Sequence, residues 1–237
     1  MLKRSFLFLT LSSFLVACSS HYDRKEIKAG FETDCESSER KSKMTQLPDY
    51  TVINDETCEN RNVLIVPAKT LKFPLSEEDQ NDVKILEAKY DQEENCAGLA
   101  APQIGIGKRA IVFEVHDDPE LKKWRPDLTD SMPKTIWINP SYEPLSEETH
   151  TDYEGCFSVN DLAGPVARFK SIRYEGYTPE GQKMEGVAHG FLARVIQHEV
   201  DHTNGICFIH RVEDGKLMSI EAYRAMRAKA MEEGRND

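Results

Sequence analysis

Basic residues are in short supply: 30 Lys and Arg stand against 41 Asp and Glu, a net charge of −11 over 237 residues. An acidic surface repels nucleic-acid phosphates and anionic lipid headgroups, so generic binding to either is excluded. Cysteine is sparse as well. Six in the chain fit neither a dense disulfide scaffold nor a repeated zinc module. Long apolar runs are lacking beyond one at the N-terminus, and no internal repeat is present. A composition of 39% hydrophobic and 30% charged residues excludes a polytopic membrane protein and disorder throughout. The length fits one sizeable domain with extras, or two small domains.

The N-terminus reads as a delivery signal. Lys3 and Arg4 precede an apolar run over residues 6–17, shorter than the roughly 20 residues a bilayer span needs. The run ends Leu15-Val16-Ala17-Cys18 before Ser19-Ser20. Small residues ahead of a cysteine, directly after an apolar core, resemble a bacterial lipoprotein lipobox. That resemblance implies a signal peptide over 1–17 and acylated Cys18 as the mature N-terminus. Residues 18–46, polar and charged, read as a flexible tether, and 47–237 as the folded domain.

Within that domain, Ser76-Glu77-Glu78-Asp79 resembles a helix start, and Val83, Leu86 and Tyr90 recur at helical spacing through about Gln92. Residues 62–67, 110–115, 135–139, 167–174 and 206–210 read as strands or extended arms. A second helix spans about 191–203, with Asn204-Gly205 as its stop, and a third spans 216–233. This order predicts an α+β domain.

The chemistry concentrates in His198-Glu199-Val200-Asp201-His202. Residues four apart on a helix lie one turn above each other, so both imidazoles can reach one ion, with Glu199 beside them to handle a water proton. Two unrelated surface histidines would give the same spacing. A third ligand separates the possibilities. After His202 come only Thr203-Asn204-Gly205, whereas metallopeptidases with such a helix usually add a downstream Glu or His. Upstream stands Glu154-Gly155-Cys156-Phe157-Ser158, and a thiolate with two imidazoles leaves one open position on a four-coordinate metal. Further upstream lies Gly98-Leu99-Ala100-Ala101-Pro102-Gln103, where small residues allow close backbone approach and Gln103 offers an amide donor to an oxyanion.

These three segments, in this order, resemble the signature motifs of the peptide deformylase family over about residues 64–211. The resemblance implies antiparallel strands around a central metal-binding helix, with a C-terminal helix. It implies Cys156, His198 and His202 as metal ligands and Glu199 as general base. Gln103 and the backbone amide of Phe157 would hold the oxyanion, and Glu154 with Arg168 would brace the Cys156 loop. Gly98, Ala97, Phe191 and Val195 align with the substrate site, although Phe191 and Val195 also suit ordinary helix core. One divalent ion is implied, Fe(II) in the family, with zinc, cobalt or nickel suited to the same ligands. An air-stable ion such as zinc is expected in an oxidising compartment.

The implied reaction is removal of formate from N-formyl-methionyl peptides by an exported, lipid-anchored, monomeric enzyme that does not bind nucleic acid. The alternatives are a zinc metallopeptidase, a non-catalytic lipoprotein binding formyl peptides, and, for location, the cytoplasm. Cys96 stands where the family usually has glycine, and Phe157 where it has leucine. Cys207 reads as a core residue, and Cys35–Cys58 or Cys58–Cys96 as the candidate disulfides.

Overall fold

The computed structural model describes residues 47–94, 96–213 and 215–233. The signal segment, Cys18, the tether and Cys35 lie outside the described residues. Helix α1 spans Glu77–Tyr90, with the Ser76 hydroxyl accepting from the Asp79 amide and acids filling the first turn, as the sequence predicts. Five strands form one antiparallel sheet: β1 Gly98–Ala100, β2 Ala110–Val115, β3 Met132–Pro144, β6 Ser171–Tyr177 and β7 Lys183–His189, in the order β1-β2-β3-β6-β7. Strands β4 Thr149–Cys156, β5 Val159–Phe169 and the short β8 Met218–Ser219 form a second, three-stranded sheet. Helix α2, Pro119–Trp124, leads into β3, helix α3 spans Gly190–Thr203, and α4 spans Ile220–Glu232. The expected α+β architecture is therefore present: strands packed about the helix that carries both histidines.

Strand β2 explains why its sequence is an unbroken apolar run. Ile111, Phe113 and Val115 face α3, packing with Trp137, Ile172, Leu192 and Ile196. Ala110 and Val112 face the other way, toward Val83, Leu86 and Tyr90 of α1. A strand covered on both faces has no reason to alternate. Helix α3 is enclosed more completely still. Every residue of it from Phe191 to Thr203 is buried, six of them ionisable or amide side chains. Gln197 anchors it to β5 by accepting from the Phe169 amide at 3.0 Å and donating to the Phe169 carbonyl at 2.9 Å.

Several sequence expectations are corrected. Residues 62–67 are not a strand; Arg61–Ile65 is a 3-10 turn followed by extended chain. Residues 206–210 are not a strand either: Phe208–His210 is a 3-10 turn. Their apolar residues turn inward from a loop, with Leu64, Cys207 and Phe208 sharing one small core. Residues 167–174 are the end of β5 and the start of β6, reversing at Lys170. The Asn204-Gly205 stop holds, with Gly205 at φ +76° and so close to the Val66 backbone that a Cβ would lie 2.7 Å from its carbonyl carbon. Among the described residues no helix is long and apolar enough to cross a membrane.

Candidate active site

The end of β4 carries Glu154 and Cys156, with a shift of register against β5 between them, and both side chains meet histidines of α3. On α3, His198 and His202 lie one turn apart. Their Nε2 atoms are 3.2 Å from each other, and the Cys156 sulfur is 3.2 Å from that of His202. Ligand atoms of Cys156, His198 and His202 all fall within 4.8 Å of one another, and all three residues are buried. The donors around this trio fix its chemistry. Glu154 lies 2.9 Å from His198 Nδ1, which holds the ring proton there and turns the Nε2 lone pair inward. Burial holds His202 well below the usual imidazole range, hence neutral. The Gln103 side-chain amide donates to the Cys156 sulfur at 3.3 Å and the Ser158 amide at 3.4 Å, which favours the thiolate. Two inward lone pairs and a thiolate packed this closely fit a divalent cation, and repel one another without it.

Glu154 sits at the centre of a second layer. It accepts from Arg168 Nε at 2.9 Å and Nη2 at 2.8 Å, and from Arg194 Nη1 at 2.8 Å. Burial alone would raise its carboxyl, but the Arg168 guanidinium outweighs that and holds it well below the usual range. Arg168 reaches on to Asp201, which also accepts from Arg211 at 2.6 Å. The Glu154–Arg168 pair thus does more than brace the Cys156 loop: it orients a histidine. Local spacing gives no sign of the roles of Arg194, Asp201 and Arg211, whose partners lie 10 to 40 residues away.

Glu199 differs. It is buried, its Oε2 has no partner among the described residues, and burial pushes its carboxyl up to about 7. The space beside it is kept by Gly98, where a Cβ would lie 2.6 Å from Glu199 Oε1. Gly98 therefore makes room for Glu199 and does not itself line the neighbouring cavity. Gln103 is buried, its Oε1 accepting from the Ala100 amide at 2.8 Å. Phe157 directly follows Cys156, which places its amide beside the sulfur, and its ring stacks on Tyr50 at 4.6 Å.

A cavity of about 360 Å³ opens from His198 and Glu199 and is lined by Ala97, Phe191 and Val195. Phe191 and Val195 belong to the core around α3 as well, so they serve as cavity wall and helix core at once. Helices α2 and α4 also contribute walls that no local pattern announces, through Trp124, Arg125, Tyr223 and Arg227. Cys96 lines the cavity too, its thiol donating to the Gly98 carbonyl at 2.9 Å. Cys58 is a free thiol, so the Cys58–Cys96 bridge is not formed. Cys207 is buried as expected, and burial pushes its thiol up to about 12.

A buried Cys-His-His cation site on a strand and a helix, with a carboxylate poised beside it, defines a metal-dependent hydrolase centre. A sequence model described as polypeptide deformylase matches residues 56–217, and the chain belongs to that family. Peptide deformylase 2 of Rickettsia conorii is 59% identical over 189 residues, covering 79% of this chain and 94% of that protein. Among solved structures, class I type b peptide deformylase of Acinetobacter baumannii bound to Met-Ala-Ser is 29% identical. It covers 71% of this chain and 100% of its own at a TM-score of 0.60. A Synechococcus elongatus peptide deformylase in complex with actinonin is 31% identical, covering 77% of this chain and 88% of its own, at a TM-score of 0.55.

Proposed function

We propose that the chain hydrolyses the formyl group from formyl-methionyl peptides at the site between β4 and α3. The observation that carries this is the convergence of Cys156, His198 and His202 beside a buried, unpartnered Glu199 oxygen in a chain of the deformylase family. When bound, a divalent cation supplies Lewis acidity, polarising the formyl carbonyl and lowering the pKa of water. Glu199 takes the proton from the attacking water and returns it to the departing amine, for which a carboxyl raised toward neutrality suits both directions. The Gln103 amide and the Phe157 N–H receive the charge that develops on the formyl oxygen. Glu154, held by Arg168 and Arg194, keeps His198 in its ligating tautomer. The methionine side chain enters the cavity against Ala97, Phe191 and Val195.

Glu199→Gln tests the central role: formate release should fall by about 10²–10⁴-fold while metal content, measured by elemental analysis, stays as in the parent. Near-normal turnover with bound metal would remove Glu199 from the mechanism. The same elemental analysis identifies the ion. Two imidazoles and a thiolate suit zinc, cobalt, nickel or Fe(II), and an air-stable ion accords with export.

For location, the sequence supports residues 1–17 as a lipoprotein signal, acylated Cys18 as anchor, 18–46 as tether and 47–237 as a monomeric catalytic body outside the cytosol. Fractionation with mass spectrometry of the N-terminus checks this: membrane-associated protein beginning at modified Cys18 is expected, and a cytosolic form retaining Met1 would overturn it.

A further inference from the structure

The cavity lining is rich in charge. Its acids include Asp91, Glu93 and Glu94 after α1 and Glu114, Glu154 and Glu199 deeper in, while its arginines come from the end of α2, from α3 and from α4. Most of these charges are already matched. Asp91 pairs with Lys134 and Glu93 with Lys89. Arg125 is engaged by Asp127 and Asp152, and Arg194 by Glu154. The two arginines of α4 stand apart. Arg227 gives Nη2 to the Trp124 carbonyl at 2.8 Å, which ties α4 to α2. Neither Arg224 nor Arg227 has a carboxylate partner among the described residues. Exposed Glu94 is likewise unmatched among the described residues, and the unmatched positive charge of the lining lies on the α4 wall.

That wall is firmly seated. Strand β8 pairs with β5 through Leu162–Ser219 and Ala163–Met218, and Tyr223 is buried with its ring stacked on Tyr153 at 5.1 Å. Helix α4 is therefore held as a fixed side of the cavity. A volume of about 360 Å³ lies within the ~300–1,000 Å³ typical of small-ligand sites, room for more than one side chain.

We propose that Arg224 and Arg227 form a carboxylate subsite of this cavity, selecting short formyl-methionyl peptides whose free terminal carboxylate lies close behind the methionine. The inference rests on the deformylase reading and extends it to the length and charge of the substrate. A peptide still continuing from its third residue offers no carboxylate there, and guanidinium groups bind carboxylates through directional, charge-assisted hydrogen bonds.

The test compares three peptides with the metal-loaded enzyme: formyl-Met-Ala-Ser as the free acid, the same peptide as the amide, and formyl-Met-Ala-Asp amide with its side-chain carboxylate. The free acid should exceed both amides by about tenfold in kcat/KM, an effect of the size of one charge-assisted hydrogen bond. The difference should appear in KM and not kcat, since the contact is remote from the reacting bond, and should shrink as salt is raised. In Arg224→Ala and in Arg224→Ala with Arg227→Ala, the acid-to-amide ratio should fall toward one. Arg227→Lys retains a donor toward Trp124 and controls for loosening of α4; melting temperature and metal content are measured for each variant. Equal kcat/KM for acid and Ser amide in the parent, or a preference that survives the double substitution in a folded protein, would overturn the proposal. A preference for the Asp amide over the acid would overturn the terminal-carboxylate assignment. No formate from any of the three would instead sink the deformylase reading beneath it.

Discussion

On the β4–β5 side of α3, Glu154 accepts from two arginines and faces His198, and Asp201 is held by two more guanidinium contacts. On the cavity side, among the described residues, Glu199 keeps a buried oxygen with no partner and the arginines of α4 pair with no carboxylate. Both glutamates are buried, yet one carboxyl is held well below the usual range and the other pushed up to about 7. Matched charge fixes positions; unmatched charge is kept for something that arrives. The same residue type serves opposite ends because its neighbours differ, and a buried group without a partner costs stability that only function repays.

The harshest way to break this comparison is on the matched side. Glu154→Ala leaves Arg168 and Arg194 buried without their common partner and should cost about 3–5 kcal/mol in urea unfolding, with loss of metal as His198 loses its orienting carboxylate. A loss below about 1 kcal/mol would show that the network is not what holds β4 to α3.

A subtler comparison uses pH on the metal-stripped protein. Because the Glu199 carboxyl is raised from 4.5 to about 7, the folded state keeps a proton that the unfolded chain has released across that window. Glu199 therefore subtracts stability progressively as pH rises from about 4.5 to 7. The Glu199→Gln variant lacks this term, so its advantage over the parent should grow by up to about 3 kcal/mol across the window. Glu154 acts with the opposite sign: its depressed pKa contributes stability at neutral pH that is lost only as pH falls below its ordinary 4.5. A parent-minus-variant difference flat in pH would contradict the account of Glu199.

The smallest effect is expected far from both regions. Lys183 pairs with Glu175 and Glu185 in the open on β6 and β7, where solvent screens the charges. Lys183→Ala should leave the melting temperature unmoved. A clear drop would mean that exposed pairs contribute here as much as buried ones.

The sequence revealed elements whose pattern is local and hid those whose logic is remote. Helices α1 and α3 were legible from apolar spacing, a serine cap and a glycine stop. Strand β4 was not: Asp152 and Glu154 look like surface, and only their distant arginine and histidine partners draw them inward. The reversal between β5 and β6 occurs at Lys170, with no glycine or proline to announce it. The metal ligands and Glu199 could be read from motif and resemblance, whereas the part of α4 in the cavity depends on β8 docking to β5, which two residues cannot signal.

The ligands divide unevenly along the chain. Cys156 ends one strand, while both histidines lie on a helix, His202 being 46 positions further on. To the polypeptide, an ion held by all three is a cross-link. It closes the loop comprising β5, β6, β7 and α3 as far as its histidines, and the entropy of that closure rises only slowly with loop length. Catalysis and chain topology thus share one fastening, and the hairpin that delivers the thiolate is tethered to the helix by the same ion that the reaction requires.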